Sequence, residues 1–305
     1  MPDLSVIICT YDRYPVLQEA LETLITKGRP ALGRHEVIVV DNTPAAKRRP
    51  IPNPMPDVIR VVTCNTTGLS HARNTGIQTS TSPVIAFLDD DAFVTEGWCD
   101  AVTDTFRTHP KVRVAGGRVL PRYDSPELPH WYDAKRLSGY LSCVDWGAAG
   151  RFLRRGEWIV GANMAWRRDV FDEFGTFKTE LGRKGAASLL SNDEIDLLER
   201  IGIENIWYEP AFTVEHLVAV ERMTLPFFRR RVFWQAVSDM VAGIAETDPD
   251  RLRAEYADTV LRLPAEHRNL SALNFDPADA DQFCLQLRAI YSAALMMGQG
   301  IAPTP

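Results

Sequence analysis

The chain has 305 residues, of which 45% are hydrophobic and 24% charged, with a formal net charge of −6. That length holds one large α/β domain with an extension, or two domains, at the composition of an ordinary globular protein. The negative charge argues against a nucleic-acid partner, and no apolar run approaches the roughly eighteen residues of a membrane span.

In chain order, Leu4-Ser5-Val6-Ile7-Ile8-Cys9 reads as a buried strand, and Thr10-Tyr11-Asp12-Arg13 follows as a polar loop. From Pro15 to Ile25 the apolar residues keep helical spacing, and Gly28 and Pro30 end that helix. Glu36 to Val40 is a second strand that runs into Asp41. Residues 44–56 are proline-rich and irregular, and Val58 to Val62 is a third strand. Gly68 to Gly76 carries helix-like spacing, and Val84 to Leu88 is a fourth strand. This alternation predicts a mainly parallel sheet flanked by helices, in which ligands bind outside the carboxyl ends of the strands. Thr10, Asp12, Asp41 and the triplet Asp89-Asp90-Asp91 all fall at such ends.

Further on, a helix is expected over 96–108 and a strand over 112–116. Residues 121–158 read as a long excursion, partly extended and rich in aromatics. Trp158 to Ala165 returns as a strand, Arg168 to Phe174 as a short helix, and Gly175 to Ala187 as a flexible glycine-rich segment. Asp193 to Ile201 is helical, 205–208 and 212–214 are short strands, and from Leu225 the chain is mostly helix. The start, MPDLSVIICTY, shows no secretory pattern, and the scattered Cys9, Cys64, Cys99, Cys143 and Cys284 suit reduced thiols, so a cytoplasmic location is expected.

The triplet is the sharpest feature. On an extended chain Asp89 and Asp91 share one side and Asp90 takes the other. Two carboxylates about 4 Å apart repel by about 4 kcal/mol at an effective dielectric of about 20. Water screens them, or one keeps its proton, or a cation lies between them. Oxygen ligands suit Mg2+ or Mn2+. A solvated acidic loop is the alternative.

The ordered pieces SVIICTYDR, EVIVVDN, GLSHARNTGI, FLDDD, GANMAWRRDVFDEFGTF, NDEIDLLERI and YEPAFTVEH resemble the family 2 glycosyltransferases, over roughly residues 4–235. The resemblance implies an α/β fold of the GT-A type and the inverting transfer of a sugar from a nucleotide diphosphate sugar, a UDP-sugar first, to an acceptor hydroxyl or amine. The acceptor would be a sugar, a glycolipid or a small natural product. Thr10, Asp12, Arg13, Asp41, Arg73, Asn74, Asp89 and Asp90 are implied as donor contacts, and Asp91, Asp89 and His216 as ligands of Mg2+ or Mn2+. Asp41 also suits a turn cap, because Asp-Asn is a common turn pair. The family's catalytic base aligns with Glu194, where the family usually carries Asp, and Asp193 is the fallback. Acidic residues in a first helical turn also favour the helix dipole.

The implied division is a catalytic domain over 1–220 and a helical extension over 221–305. Residues 1–120 would form its nucleotide-sugar half and 121–220 its acceptor half. Arg222, Arg229, Arg230 and Arg231, interleaved with aromatics, suit a cationic arm over the diphosphate, a membrane-surface helix at the inner face, or a solvated basic face. The extension also allows a homodimer. Two rivals remain: a nucleotidyltransferase acting on sugar phosphates, disfavoured because the first loop lacks glycines and a Lys, and a catalytically inactive nucleotide-binding relative.

Overall fold

The apolar runs before the first carboxylates become parallel strands that are buried along nearly their whole length. They are β1 (Leu4–Thr10), β2 (His35–Asp41) and, after the half-exposed edge strand β3 (Ile59–Thr63), β4 (Val84–Asp89). The structure, a computed structural model, describes residues 1–51, 55–180 and 193–303. The four strands lie in the order β3-β2-β1-β4, all parallel. Their register pairs Thr10 with Asp41 and Cys9 with Asp89, so the polar ends of three strands finish at one edge.

The sheet continues with β5 (Ala92–Val94), β6 (Val114–Tyr123), β7 (Arg151–Phe152), β8 (Asn163–Arg167) and β9 (Ile206–Val218). β8 pairs antiparallel with β4 and β6, and β9 pairs antiparallel with β5 and β7. Helices α1 (Tyr14–Thr23), α2 (Leu69–Thr79) and α3 (Trp98–Thr108) connect the early strands. A π-helical turn carries α1 on to Gly28, where Arg29 takes a positive φ of 55°. Gly68, at the start of α2, has φ 142°, a backbone that a side chain would strain.

The chain divides into two compact units. The first takes Met1–Arg122, a segment beginning at Ser142, and Asp193–Leu217. Its core joins Ile7, Ile38, Phe87, Trp166 and Phe177 to Leu197, Leu198 and Ile201 of a helix over Asp193–Ile201. Asn163 is fully buried there: it accepts from Trp98 Nε1 at 3.1 Å and donates to Phe212 O at 2.8 Å and Arg118 O at 3.1 Å. The neighbouring Gly117 leaves no room for a Cβ, which would overlap Phe212 O and the Asn163 amide. Gly117→Ala should therefore cost about 3 kcal/mol, read as a lower urea midpoint at unchanged slope.

The second unit takes Tyr123–Leu141 and the chain from Val218. It holds the short helix α4 (Ala134–Leu137) and three long helices. With Asp169–Phe174 counted as α5 and Asp193–Ile201 as α6, these are α7 (Leu225–Ala242), α8 (Pro249–Leu261) and α9 (Ala280–Gly298). Leu252, Tyr256 and Val260 of α8 share a core with Ala236 of α7 and with Ala293 and Met296 of α9. Trp131 packs edge-on against Phe228 and Phe283, with ring centroids 5.6 and 4.8 Å apart. Burying large side chains of this kind contributes about 1.5–3 kcal/mol each.

Four expected strands differ. The strand expected over 158–165 is observed at Asn163–Arg167, because the chain turns at Val160, whose carbonyl accepts the Asn163 N–H at 3.1 Å. Ile159 instead fills the space above Gly116. The two short strands expected at 205–208 and 212–214 are one strand, β9, which runs through Pro210. Trp207 and Tyr208 pair with β7, and Val214 to His216 pair with β5, so Pro210 lies between those two ladders. The strand expected over 112–116 continues to Tyr123, and the excursion after it carries α4 and β7. Of the glycine-rich segment from 175, residues 181–187 lie outside the described ones.

Candidate active site

All of the site lies in the first unit. β4 delivers Asp89 at its end, and Asp90 and Asp91 form the turn into β5. β9 brings His216 opposite Ala92. The His216 Nε2 lies 3.2 Å from Asp91 Oδ1, and one ligand atom each from Asp89, Asp91 and His216 falls within a 4.8 Å spread.

The repulsion within the triplet is met by two arginines from outside the turn. Arg13 spans the turn: its Nη1 donates to Asp90 at 2.7 Å and its Nη2 to Asp91 at 2.9 Å. Arg73 lies 3.8 Å from Asp89. Thr10 adds a 2.7 Å hydrogen bond to Asp90. Asp90 and Asp91 are each only 5% exposed, yet their proton affinities move apart. Burial raises Asp90 to about 7 against the pull of Arg13. Burial also opposes charge on Asp91, but His216 and Arg13 outweigh it and hold that carboxyl well below its ordinary value.

Asp41, at the end of β2, is 2% exposed. One oxygen accepts the Thr43 N–H at 2.9 Å, the turn-cap role, and the other accepts the Tyr14 hydroxyl at 3.1 Å. Arg48 approaches to 3.7 Å. Asp12 has φ 55°, and its N–H donates to the Thr43 hydroxyl at 2.9 Å. Asn42 ties the loops together through Cys64 O, Thr66 O and the Gly68 N–H.

On α2, Arg73 is 3% exposed, and its guanidinium stacks near Phe87 and Phe177 at 5.9 and 5.4 Å. Its Nη1 lies 3.7 Å from Glu194 Oε2, in the first turn of α6. Asn74 is half-buried: its amide donates to Phe177 O at 2.9 Å and accepts the Phe177 N–H at 3.1 Å. The side chain of Asp193 lies outside the described part.

A rim of strand ends with a buried carboxylate pair, an imidazole and a further acid on a neighbouring helix is a site for polar substrates. A model of the glycosyl transferase family 2 matches residues 5–174, more than half of the chain. The chain belongs to this family. It is 27% identical over 309 aligned positions to the glucosyl-dolichyl phosphate glucuronosyltransferase of Haloferax volcanii, covering 97% of this chain and 94% of that protein. It is 34% identical over 183 positions to the succinoglycan biosynthesis protein ExoM of Rhizobium meliloti, covering 58% and 56% of the two chains. A mannosyltransferase from Pyrobaculum calidifontis, solved with GDP-Man and Mn2+, superposes with a TM-score of 0.52 at 20% identity, over 98% of this chain and 79% of that one. The fold is thus of the GT-A type, and the protein is a glycosyltransferase enzyme.

The structure gathers Thr10, Arg13, Asp89, Asp90, Asp91 and His216 at one place, and Arg73 with Glu194 beside it. Asp12 and Asp41 meet around Thr43. Sequence reading missed Tyr14 and Arg48 as partners of Asp41. Arg48 sits in the irregular 44–56 segment, where no periodicity signals a contact. Of the four arginines read as an arm, Arg229 turns into its own unit and donates to Gln286 at 3.1 Å and to Asn274. Among the described residues, no helix is long and apolar enough to cross a membrane.

Proposed function

We propose that the enzyme moves a sugar from a nucleotide diphosphate sugar to an acceptor hydroxyl or amine by one in-line displacement, with inversion at the anomeric carbon. One observation carries this reading: Asp89, Asp91 and His216 converge within 4.8 Å at the rim where β1, β2 and β4 end. The two carboxylates suit Mg2+ or Mn2+ and the imidazole favours a transition ion, so Mn2+ fits this donor set better. Bound there, the ion supplies positive charge for the departing diphosphate. The similarity in fold to an enzyme solved with GDP-Man and Mn2+ supports this choice.

The chain's own groups do the rest. Thr10 steadies Asp90, and Asp90 with Asp91 holds Arg13, whose half-exposed guanidinium faces the same charge. Asp41, with Tyr14 and Arg48, and Asp12 take the nucleoside end of the donor, and Asn74 acts through Phe177. Glu194, or Asp193 beside it, accepts the proton of the attacking acceptor. Residues 1–120 serve the donor and 121–220 the acceptor, with 221–305 an added extension. A lipid-linked sugar is the leading acceptor, by similarity to the dolichyl phosphate enzyme, and it would bring the protein to the inner face of a membrane.

Incubation with UDP- and GDP-sugars and glycolipid acceptors tests the scheme, with Mn2+ or with excess chelator. Inverted product, release of a nucleoside diphosphate and loss of turnover in chelator are expected. Retained configuration, or full turnover without metal, would remove the scheme.

A further inference from the structure

The resemblance gives Arg73 a donor contact, but its surroundings point elsewhere. The side chain is 3% exposed and flanked by the Phe87 and Phe177 rings. Asn74 clamps both backbone groups of Phe177, which fixes one of those rings. The guanidinium tip fills the space above Gly161, where a Cβ would overlap Nη2. From this slot one nitrogen reaches Asp89 at 3.8 Å and the other reaches Glu194 at 3.7 Å. Those carboxylates sit on β4 and α6, and belong to the two motifs with separate chemical tasks.

We infer that Arg73 is a positioning residue that sets the spacing between the cation-binding carboxylate Asp89 and the proton-accepting carboxylate Glu194. This rests on Glu194 as the base proposed above. A planar guanidinium holds two acids through a rigid fork of donors, which the rotatable donors of an ammonium do not supply. The aromatic walls and the glycine floor restrict its rotamers, so the carboxylates inherit a fixed separation. A displacement of about 1 Å at a reacting group costs about a hundredfold in rate, so the spacing matters to turnover more than to donor affinity.

The test compares Arg73→Gln, Glu194→Gln and the double variant, with UDP and GDP binding measured in the presence of Mn2+. Arg73→Gln should lower kcat about a hundredfold and leave the Kd of the nucleoside diphosphate within about threefold. In the Glu194→Gln background it should cost no more than about threefold further, because the two residues act as a unit. Gly161→Ala keeps the guanidinium but pushes its tip aside, and should show the same split between kcat and Kd; it carries the test if Arg73→Gln does not fold. A Kd that weakens in step with kcat makes Arg73 a donor contact and overturns the inference, as does full additivity with Glu194→Gln. Undiminished turnover in Glu194→Gln removes the base assignment itself, and the inference with it, which is a separate result from the other two.

Discussion

Asp91→Asn is expected to lower kcat/KM about a thousandfold, equivalent to about 4 kcal/mol of lost transition-state stabilisation. The substitution keeps the shape of the side chain and removes the charge that His216 and Arg13 face at 3.2 and 2.9 Å. Its effect on stability should be smaller. Removing one partner of a fully buried pair costs about 3–5 kcal/mol, but the Arg13 side chain is 44% exposed and keeps its 2.7 Å bond to Asp90. A loss of about 1 kcal/mol is the better expectation. Mn2+ titration gives a readout that does not depend on turnover: the stabilisation on adding metal, which follows ligand concentration over Kd, should largely vanish. Asp90→Asn is the contrast. Its carboxylate is engaged by Thr10 and Arg13, so the variant should still respond to Mn2+. Equal metal response in wild type and Asp91→Asn would take Asp91 out of the cation site.

The strand ends were readable because parallel strands buried on both faces leave continuous apolar runs, and each run stops at its first carboxylate. Val84 to Asp89 and Val37 to Asp41 show this, and the observed register sets their ends side by side. What neutralises the triplet was not readable. Water, a proton and a bound cation were the expected answers, yet Arg13 answers from 77 and 78 residues away, through a fold that no local pattern encodes. Arg73 was noticed only through its motif, and its aromatic walls come from β4 and from the stretch near residue 177. The apolar run over 159–162 misled for a related reason. Its residues are buried by filling space over Gly116 and beside Arg73, not by joining a ladder. Periodicity reports burial, and burial alone does not tell a strand from a packed turn.

Glu194→Gln should reduce kcat by about 10²- to 10⁴-fold, the usual contribution of a general base. The competing account is that Glu194 merely favours the N-terminus of α6. A carboxylate in a first turn stabilises a helix by about 0.3–1 kcal/mol, so that account predicts a small drop in melting temperature and unchanged turnover. The position of the side chain favours the first account. Leu197, Leu198 and Ile201 anchor α6 in the core, while Glu194, whose side chain is only 17% exposed, faces the buried Arg73. Asp196, two residues on, has an ordinary structural task, pairing with Lys178 at 2.5 Å and Arg200 at 2.9 Å. Glu194→Asp gives the finer measurement. Dropping one methylene withdraws the carboxylate by about 1.5 Å, so this variant should keep more activity than Glu194→Gln and less than the wild type. Nucleoside diphosphate release under saturating donor, followed in both variants and in Asp193→Asn, ranks the two acids. A larger loss in Asp193→Asn than in Glu194→Gln would move the base one position along the chain. Equal turnover in all of them would leave α6 with a stabilising role only, and the acceptor's proton would then have to leave by another route.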